Sequence, residues 1–167
     1  MRVYVPATLA MLARMVAEGS LFPVSGTAFA VTPTLREAYA EGDDELLAEV
    51  ALREAALASL RLLAPECGGH QQLPLRRAVL VADVTGARAR PDLDDAVVRL
   101  SAPVTVDDVV AVFVDTVAAE PAVHAAVDVI DAADLGDEDA ELLVGDAQDH
   151  DLAWYAAQEL PFLLELL

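Results

Sequence analysis

The sequence has 167 residues and a formal net charge of −19 at pH 7, a length that fits one domain with a core large enough to need no disulfide. Its composition, 56% hydrophobic and 23% charged, argues against disorder. The single cysteine excludes an intrachain disulfide and fits a reducing cytoplasm. No apolar run approaches the roughly 20 residues of a membrane span, so we expect no membrane association.

The charge is divided unevenly along the chain. Residues 1–99 contain all ten arginines and 13 acidic residues, whereas residues 100–167 contain 16 acidic residues and no arginine or lysine. Such a half repels phosphate backbones, which argues against nucleic-acid binding. It is suited to attract a basic protein or divalent cations, and a set of solvated helical faces is the alternative. Lysine and asparagine are absent, which is typical of a GC-rich genome.

The first half of the chain predicts two strands and their helices. Residues 2–7 alternate as in a strand. Thr8 is placed to cap a helix that ends at Gly19. Residues 27–32 form a second strand, followed by a helix whose first residue is proline. The alanine- and leucine-rich residues 44–64 predict a long, mostly buried helix.

The second half predicts three strands and two helices. Residues 78–84 are almost continuously apolar, as in a central strand. Strands at 96–100 and 109–115 follow. The first lies too close behind the central strand for a crossover helix, so we expect antiparallel hairpins here. Helices at about 120–131 and 139–160 complete the chain.

The element order is therefore β-α-β-α-β-β-β-α-α, an α/β fold with residues 1–167 as a single domain. The first two crossovers predict parallel pairing. We expect a mixed sheet of about five strands with helices on its faces.

Motifs for cofactors and metals are missing from the sequence. It has no phosphate-binding loop, dinucleotide fingerprint or calcium loop. Cys67 and His70 have the spacing of half a zinc site without a second pair. Glu120, His124 and Asp128 recur every four residues, on the solvent side of their helix. We expect no cofactor, no metal and no catalytic set.

The predicted last helix carries the candidate ligand site. At 100° per residue, Asp151 and Gln158 fall within its apolar stripe beside Trp154. An ionised aspartate there needs a partner or a position at the rim. Any arginine must come from the first half of the chain. Arg36, Arg76 and Arg77 are the candidates for that role. The candidate ligand-binding residues are His150, Asp151, Trp154, Gln158, Arg76 and Arg77.

Four stretches carry a family resemblance: residues 2–8, 26–33, 58–64 and 150–160. They resemble a family of short uncharacterised proteins from actinobacteria, classed as a domain of unknown function. The His-x-x-x-Trp-Tyr element is the most distinctive part. The resemblance implies no activity, cofactor or catalytic residue.

Three functional hypotheses follow, all for a cytoplasmic protein whose oligomeric state the sequence does not indicate. The first is a non-catalytic acidic interaction protein that binds another protein. The alternative is a small-molecule-binding protein or enzyme with a pocket at Asp151, His150 and Trp154, completed by an arginine. A metal-dependent hydrolase would need His124 and His150 to converge.

Overall fold

The computed structural model describes residues 1–66 and 73–167, which form a single α/β domain. Within this part of the chain, the strands are β1 (Arg2–Ala7), β2 (Ser20–Leu21), β3 (Thr27–Phe29), β4 (Ala78–Asp83), β5 (Arg88–Ala89), β6 (Val97–Arg99), β7 (Val104–Thr105), β8 (Val109–Val114) and β9 (Ala153–Ala156). The helices are α1 (Leu9–Glu18), α2 (Pro33–Ala38), α3 (Asp44–Leu63), α4 (Glu120–Asp134), α5 (Glu138–Gln148) and α6 (Leu160–Glu165). Over the same residues, no helix is both long and apolar enough to cross a membrane.

The main sheet has seven strands in the order β5-β6-β3-β1-β4-β8-β9, and every neighbouring pair is antiparallel. Strands β2 and β7 form a separate antiparallel pair. The prediction of a mixed sheet of about five strands was therefore wrong in strand count and direction. Strand β3 begins at the same end of the sheet where β1 finishes, because α1 leads the chain away from that end and residues 19–26 lead it back. Left-handed backbone at Ser25 and Gly26 turns the chain into β3.

Helix α1 covers one face of the sheet and follows the sequence prediction. The Thr8 side chain accepts a hydrogen bond from the Met11 N–H, and Gly19 ends the helix with φ at +88°. Leu9 and Leu12 are buried in a core that includes alternate residues of the central strands. Helix α6 packs against α1 on this face.

Helix α3 covers the opposite face and is the long helix that the sequence predicted. It begins after Asp43, whose side chain accepts a hydrogen bond from the Leu46 N–H. Its buried Ser59 hydroxyl donates to the carbonyl oxygen of Ala7 at 2.7 Å and accepts from the N–H of Ala78 at 3.0 Å. Ser59 thus ties α3 to the facing ends of β1 and β4.

The single helix predicted for residues 139–160 was wrong. Helix α5 ends at Gln148, and the N–H groups of Asp149 and His150 close its last turn on the carbonyl oxygens of Gly145 and Ala147. Residues 153–156 then pair with β8 as strand β9. Backbone pairing along β8 replaces the hydrogen bonds that a continued helix would make. The aromatic residues of this segment suit a strand.

Candidate functional site

A groove of about 740 Å³ lies on the α3 face of the sheet, between α3 and the segment that links α5 to β9. We call it the α3–β9 groove. In the strand register, Tyr4 lies opposite Val81, which lies opposite Ala111. Phe113 lies opposite Trp154 in the neighbouring row. Because cross-strand partners point to the same face, these side chains form a continuous apolar floor with three aromatic rings.

The walls of the groove come from one face of α3 and from the end of α5 with the loop that follows. The α3 wall consists of residues at helical spacing, Glu45, Ala48, Glu49, Leu52, Arg53 and Ala56. The opposite wall consists of Gly145, Gln148, Asp149, His150, Asp151 and Leu152. A β-bulge in β8 adds Val110, which has no partner because Ala111 pairs with Val81 and Val109 with Ala82.

The rims of the groove are acidic on both sides. Glu45 and Glu49 lie on α3, and Asp149 and Asp151 lie on the opposite wall, all four exposed. The side chain of Arg53 lies 3.8 Å from Glu49 in an exposed pair. Among the described residues, the other three rim carboxylates form no ion pair. The rims therefore present an excess of negative charge to an incoming group.

Arg2 lines the groove beside its floor and is already paired. Its guanidinium donates to Asp83 through Nε at 3.0 Å and Nη2 at 3.1 Å. The hydrogen bond from Arg2 lowers the pKa of Asp83 below its ordinary value. Burial raises the pKa of Tyr4, an effect that the charge of Arg2 opposes, so Tyr4 is a neutral phenol at physiological pH.

Arg77 lies beneath the groove in a buried ion pair with Asp115. Its Nε and Nη2 donate to the two carboxylate oxygens of Asp115 at 2.9 and 2.7 Å, and its backbone N–H donates to the same carboxylate at 2.8 Å. The two side chains are 2% and 0% exposed. Nη2 also donates to the carbonyl oxygen of His150 at 2.8 Å. The pair thus fixes the loop that forms one wall.

Four of the six candidate ligand-binding residues line this one groove: Arg77, His150, Asp151 and Trp154. Gln158 and Arg76 are not among the lining residues. Gln158 is exposed in the turn at 157–159, and Arg76 donates to Glu120 at 3.1 Å. The helix stripe that motivated the group does not exist, since Trp154 lies on β9.

The three arginines considered as partners for Asp151 each bind another carboxylate. Asp151 is exposed at the rim, and Arg77 pairs with Asp115 instead. Arg36, the third arginine considered for Asp151, pairs with Asp44 at 2.7 Å. A buried carboxylate in the second half does take its counter-charge from the first half, as the charge distribution required. The carboxylate is Asp115, at the end of β8.

Sequence reasoning missed the groove's floor and its second rim. Tyr4 and Phe113 lie in segments predicted as strands, and strand alternation shows which of their neighbours share a face. Which strands are adjacent was not available from the sequence. Glu45 and Glu49 are four residues apart on α3, a spacing that indicates one helix face.

The metal sites considered from the sequence are not present in the part of the chain that the structure describes. There, no group of three or more His, Cys, Asp or Glu side chains is placed to hold an ion. Cys67 and His70 lie outside the described residues. His124 Nδ1 is 3.7 Å from Asp128 Oδ2 on the exposed face of α4, away from the groove that His150 lines.

The groove presents carboxylates, one imidazole and aromatic rings. Among the described lining residues, no serine, threonine or cysteine is present to act as a nucleophile. Aromatic rings between carboxylates suit an organic cation, because ring faces and carboxylates both attract positive charge.

Comparison with known proteins gives a family and no activity. The chain matches the model of a family of unknown function (DUF6912) over residues 1–164. Searches of the curated proteins and of the solved structures found no match. The match confirms the domain of unknown function that the sequence indicated.

Proposed function

We propose that this chain, which belongs to the family of unknown function DUF6912, is a non-catalytic interaction protein that binds a basic segment of another protein. The observation that carries the proposal is the α3–β9 groove, with three aromatic rings on its floor and carboxylates on both rims. An arginine or lysine side chain matches this arrangement. Its apolar stem lies on the rings, and its charged head reaches the carboxylates.

The electrostatics of the groove favour a cation over an anion. Arg2 and Arg77 are each paired with a carboxylate, so their positive charges are neutralised locally. The rim acids Glu45, Asp149 and Asp151 have no such partner among the described residues. The net charge of −19 adds a long-range attraction for basic partners, which salt weakens.

Trp154 provides a direct test, because it is the sole tryptophan and is 59% exposed in the groove. The probe is an end-capped heptapeptide of alternating valine and arginine. Its binding should shift the tryptophan emission to shorter wavelength, with an affinity that falls as salt is added. The same peptide with glutamate in place of arginine should give no shift. An equal response to both peptides would contradict the proposal.

Charge variants separate the groove from the general field of the protein. The double variant Asp149→Asn/Asp151→Asn should weaken binding of the arginine peptide about tenfold at low salt. The control Asp131→Asn/Glu165→Gln removes the same charge from exposed positions outside the groove. It should change the affinity by less than about twofold. Equal losses in the two double variants would show that the groove is not the binding site.

A second candidate function is binding of a small organic amine in the same groove. Its volume of about 740 Å³ lies in the range of small-molecule sites, and Arg77, His150, Asp151 and Trp154 all line it. The same titration with phenethylamine tests this candidate. Binding of the amine as tight as that of the peptide would favour the small molecule.

The setting of the proposed function follows from composition. A GC-rich actinobacterial source accounts for the absence of lysine and asparagine. The single cysteine supports a cytoplasmic location. The actinobacterial source and the cytoplasmic location are both part of the proposal.

A further inference from the structure

The outer edge of β9 borders the α3–β9 groove. Strand β9 is the last strand of the sheet and pairs only with β8 among the described residues. Trp154 lies on this strand and lines the groove. The groove and an open strand edge therefore adjoin each other at one residue.

The hydrogen-bond pattern shows which backbone groups of β9 point outward. The N–H of Asp115 donates to the carbonyl oxygen of Arg77, on the β4 side of β8. In an antiparallel sheet the direction alternates with each residue, so Val114 and Val112 point their backbone groups toward β9. Their partners Ala153 and Tyr155 complete those bonds. Trp154, which lies between them, points its N–H and C=O away from the sheet.

Ala156 supports this assignment. It lies two residues after Trp154, so its backbone groups point to the same side of the strand, and its N–H donates to Glu159 Oε1 at 3.1 Å instead of to β8. The carboxylate of Glu159 therefore closes the end of the edge. Trp154 keeps an N–H donor and a C=O acceptor directed outward, beside the groove.

The charges around the edge select its occupant. Asp149 and Asp151 precede the strand, and Glu159 follows it. A second copy of this chain placed edge to edge would bring these carboxylates close to carboxylates of the other copy, which is unfavourable. A basic strand would meet opposite charges at the same positions.

We propose that the basic partner segment adds to the sheet as an extended strand, pairing its backbone with Trp154 and placing alternate side chains in the α3–β9 groove. This proposal rests on the proposed function and specifies how the partner is held. Backbone hydrogen bonds at an open edge supply affinity for an extended chain, and the groove selects its side chains.

Amide hydrogen exchange at Trp154 tests strand addition, measured by NMR on the full chain with the valine–arginine peptide. Saturation with peptide should slow exchange of the Trp154 N–H at least about tenfold. The Ala156 N–H, already bonded to Glu159, should change little. A shift in tryptophan emission without slower exchange at Trp154 would overturn strand addition and leave the proposed function standing. Absence of both responses would overturn both proposals.

Two variants of Glu159 give an independent check. Glu159→Ala removes the acceptor that holds the Ala156 N–H, whereas Glu159→Gln keeps an acceptor and removes only the charge. Peptide should therefore protect the Ala156 amide in Glu159→Ala and not in Glu159→Gln. Equal behaviour of Ala156 in the two variants, with bound peptide, would contradict pairing at this edge.

Discussion

Arg77 and Asp115 share two side-chain hydrogen bonds, at 2.9 and 2.7 Å, in a pair closed to solvent at the ends of neighbouring strands. The third side-chain hydrogen bond of Arg77, to the carbonyl oxygen of His150, connects this pair to the wall of the groove. The pair therefore joins the stability of the sheet to the shape of the candidate site.

Removing one member of this pair should destabilise the protein strongly. Arg77→Ala leaves the Asp115 carboxylate buried without a counter-charge, and we expect a loss of about 3–5 kcal/mol in the free energy of unfolding. Arg76→Ala is the matched control, because the neighbouring Arg76 pairs with Glu120 in a more accessible bridge. Its loss should be about 1 kcal/mol. Urea denaturation measures both, and equal losses would contradict the central role of Arg77.

The Ser59 hydroxyl should contribute measurably to stability through its two buried bonds. Ser59→Ala leaves the carbonyl oxygen of Ala7 and the N–H of Ala78 without that partner, which we expect to cost about 1–3 kcal/mol. Ser101→Ala is the control, since the exposed Ser101 donates only to Gly86 at 3.3 Å. Its effect should stay within about 0.5 kcal/mol. Thermal or urea unfolding that ranks the two variants equally would show that Ser59 does not hold α3 to the strands.

Glu54 should make stability depend on pH in a direction opposite to that of a paired carboxylate. Burial, with repulsion from Asp94, raises the pKa of Glu54 above its ordinary value, and Arg61 opposes this only in part. The folded state therefore binds the Glu54 proton more tightly than the unfolded state, and ionisation as pH rises costs stability. Glu54→Gln should raise the Tm at pH 7.

This gain should disappear only at a pH below the ordinary pKa of a glutamate, where the side chain is protonated in both the folded and the unfolded wild-type chain. Glu49→Gln, at an exposed position of the same helix, controls for the loss of one negative charge and should change the Tm less. Circular dichroism melts at pH 7 and at acidic pH compare the variants. A Glu54→Gln gain that is the same at both pH values would count against the assignment.

Two glycines should respond in opposite directions to the same added methyl group. A Cβ at Gly145, inside α5, meets no atom within 4 Å, so Gly145→Ala should stabilise the protein by about 0.5–1 kcal/mol through helix propensity. Gly19 has φ at +88°, a conformation that alanine adopts only with strain. Gly19→Ala should cost about 1–2 kcal/mol. Differential scanning calorimetry of both variants tests the signs, and a destabilising Gly145→Ala would contradict the open space at α5.

Local sequence patterns predicted the elements whose ends and buried faces are determined by residues close in sequence. Thr8 and Gly19 bound α1 because each terminal contact is made within a few residues of the cap. Helix α3 and strand β4 were also predictable from the sequence. An element buried on one face has a periodic apolar pattern, and one buried on both faces has a continuous apolar pattern.

Tertiary pairing decided the elements that were missed. Residues 149–156 contain no glycine or proline to stop a helix, and their conversion to loop and strand depends on β8, whose partner they become. The direction of β3 depends on how residues 19–26 return, which helix and strand periods do not encode. Trp154 and His150 were assigned to the candidate site from their residue types. The acidic rim on α3 could not be assigned in this way, because only the tertiary fold places it across the groove from His150.

The central position of β1 has a consequence for synthesis on the ribosome. Its hydrogen-bonding partners, β3 and β4, emerge later, and β4 is complete only at residue 83. Of the described strands, β9 is the last to emerge. Until residues 153–156 have left the exit tunnel, the free side of β8 has no partner strand, so a ribosome paused shortly before this point would expose it to other chains.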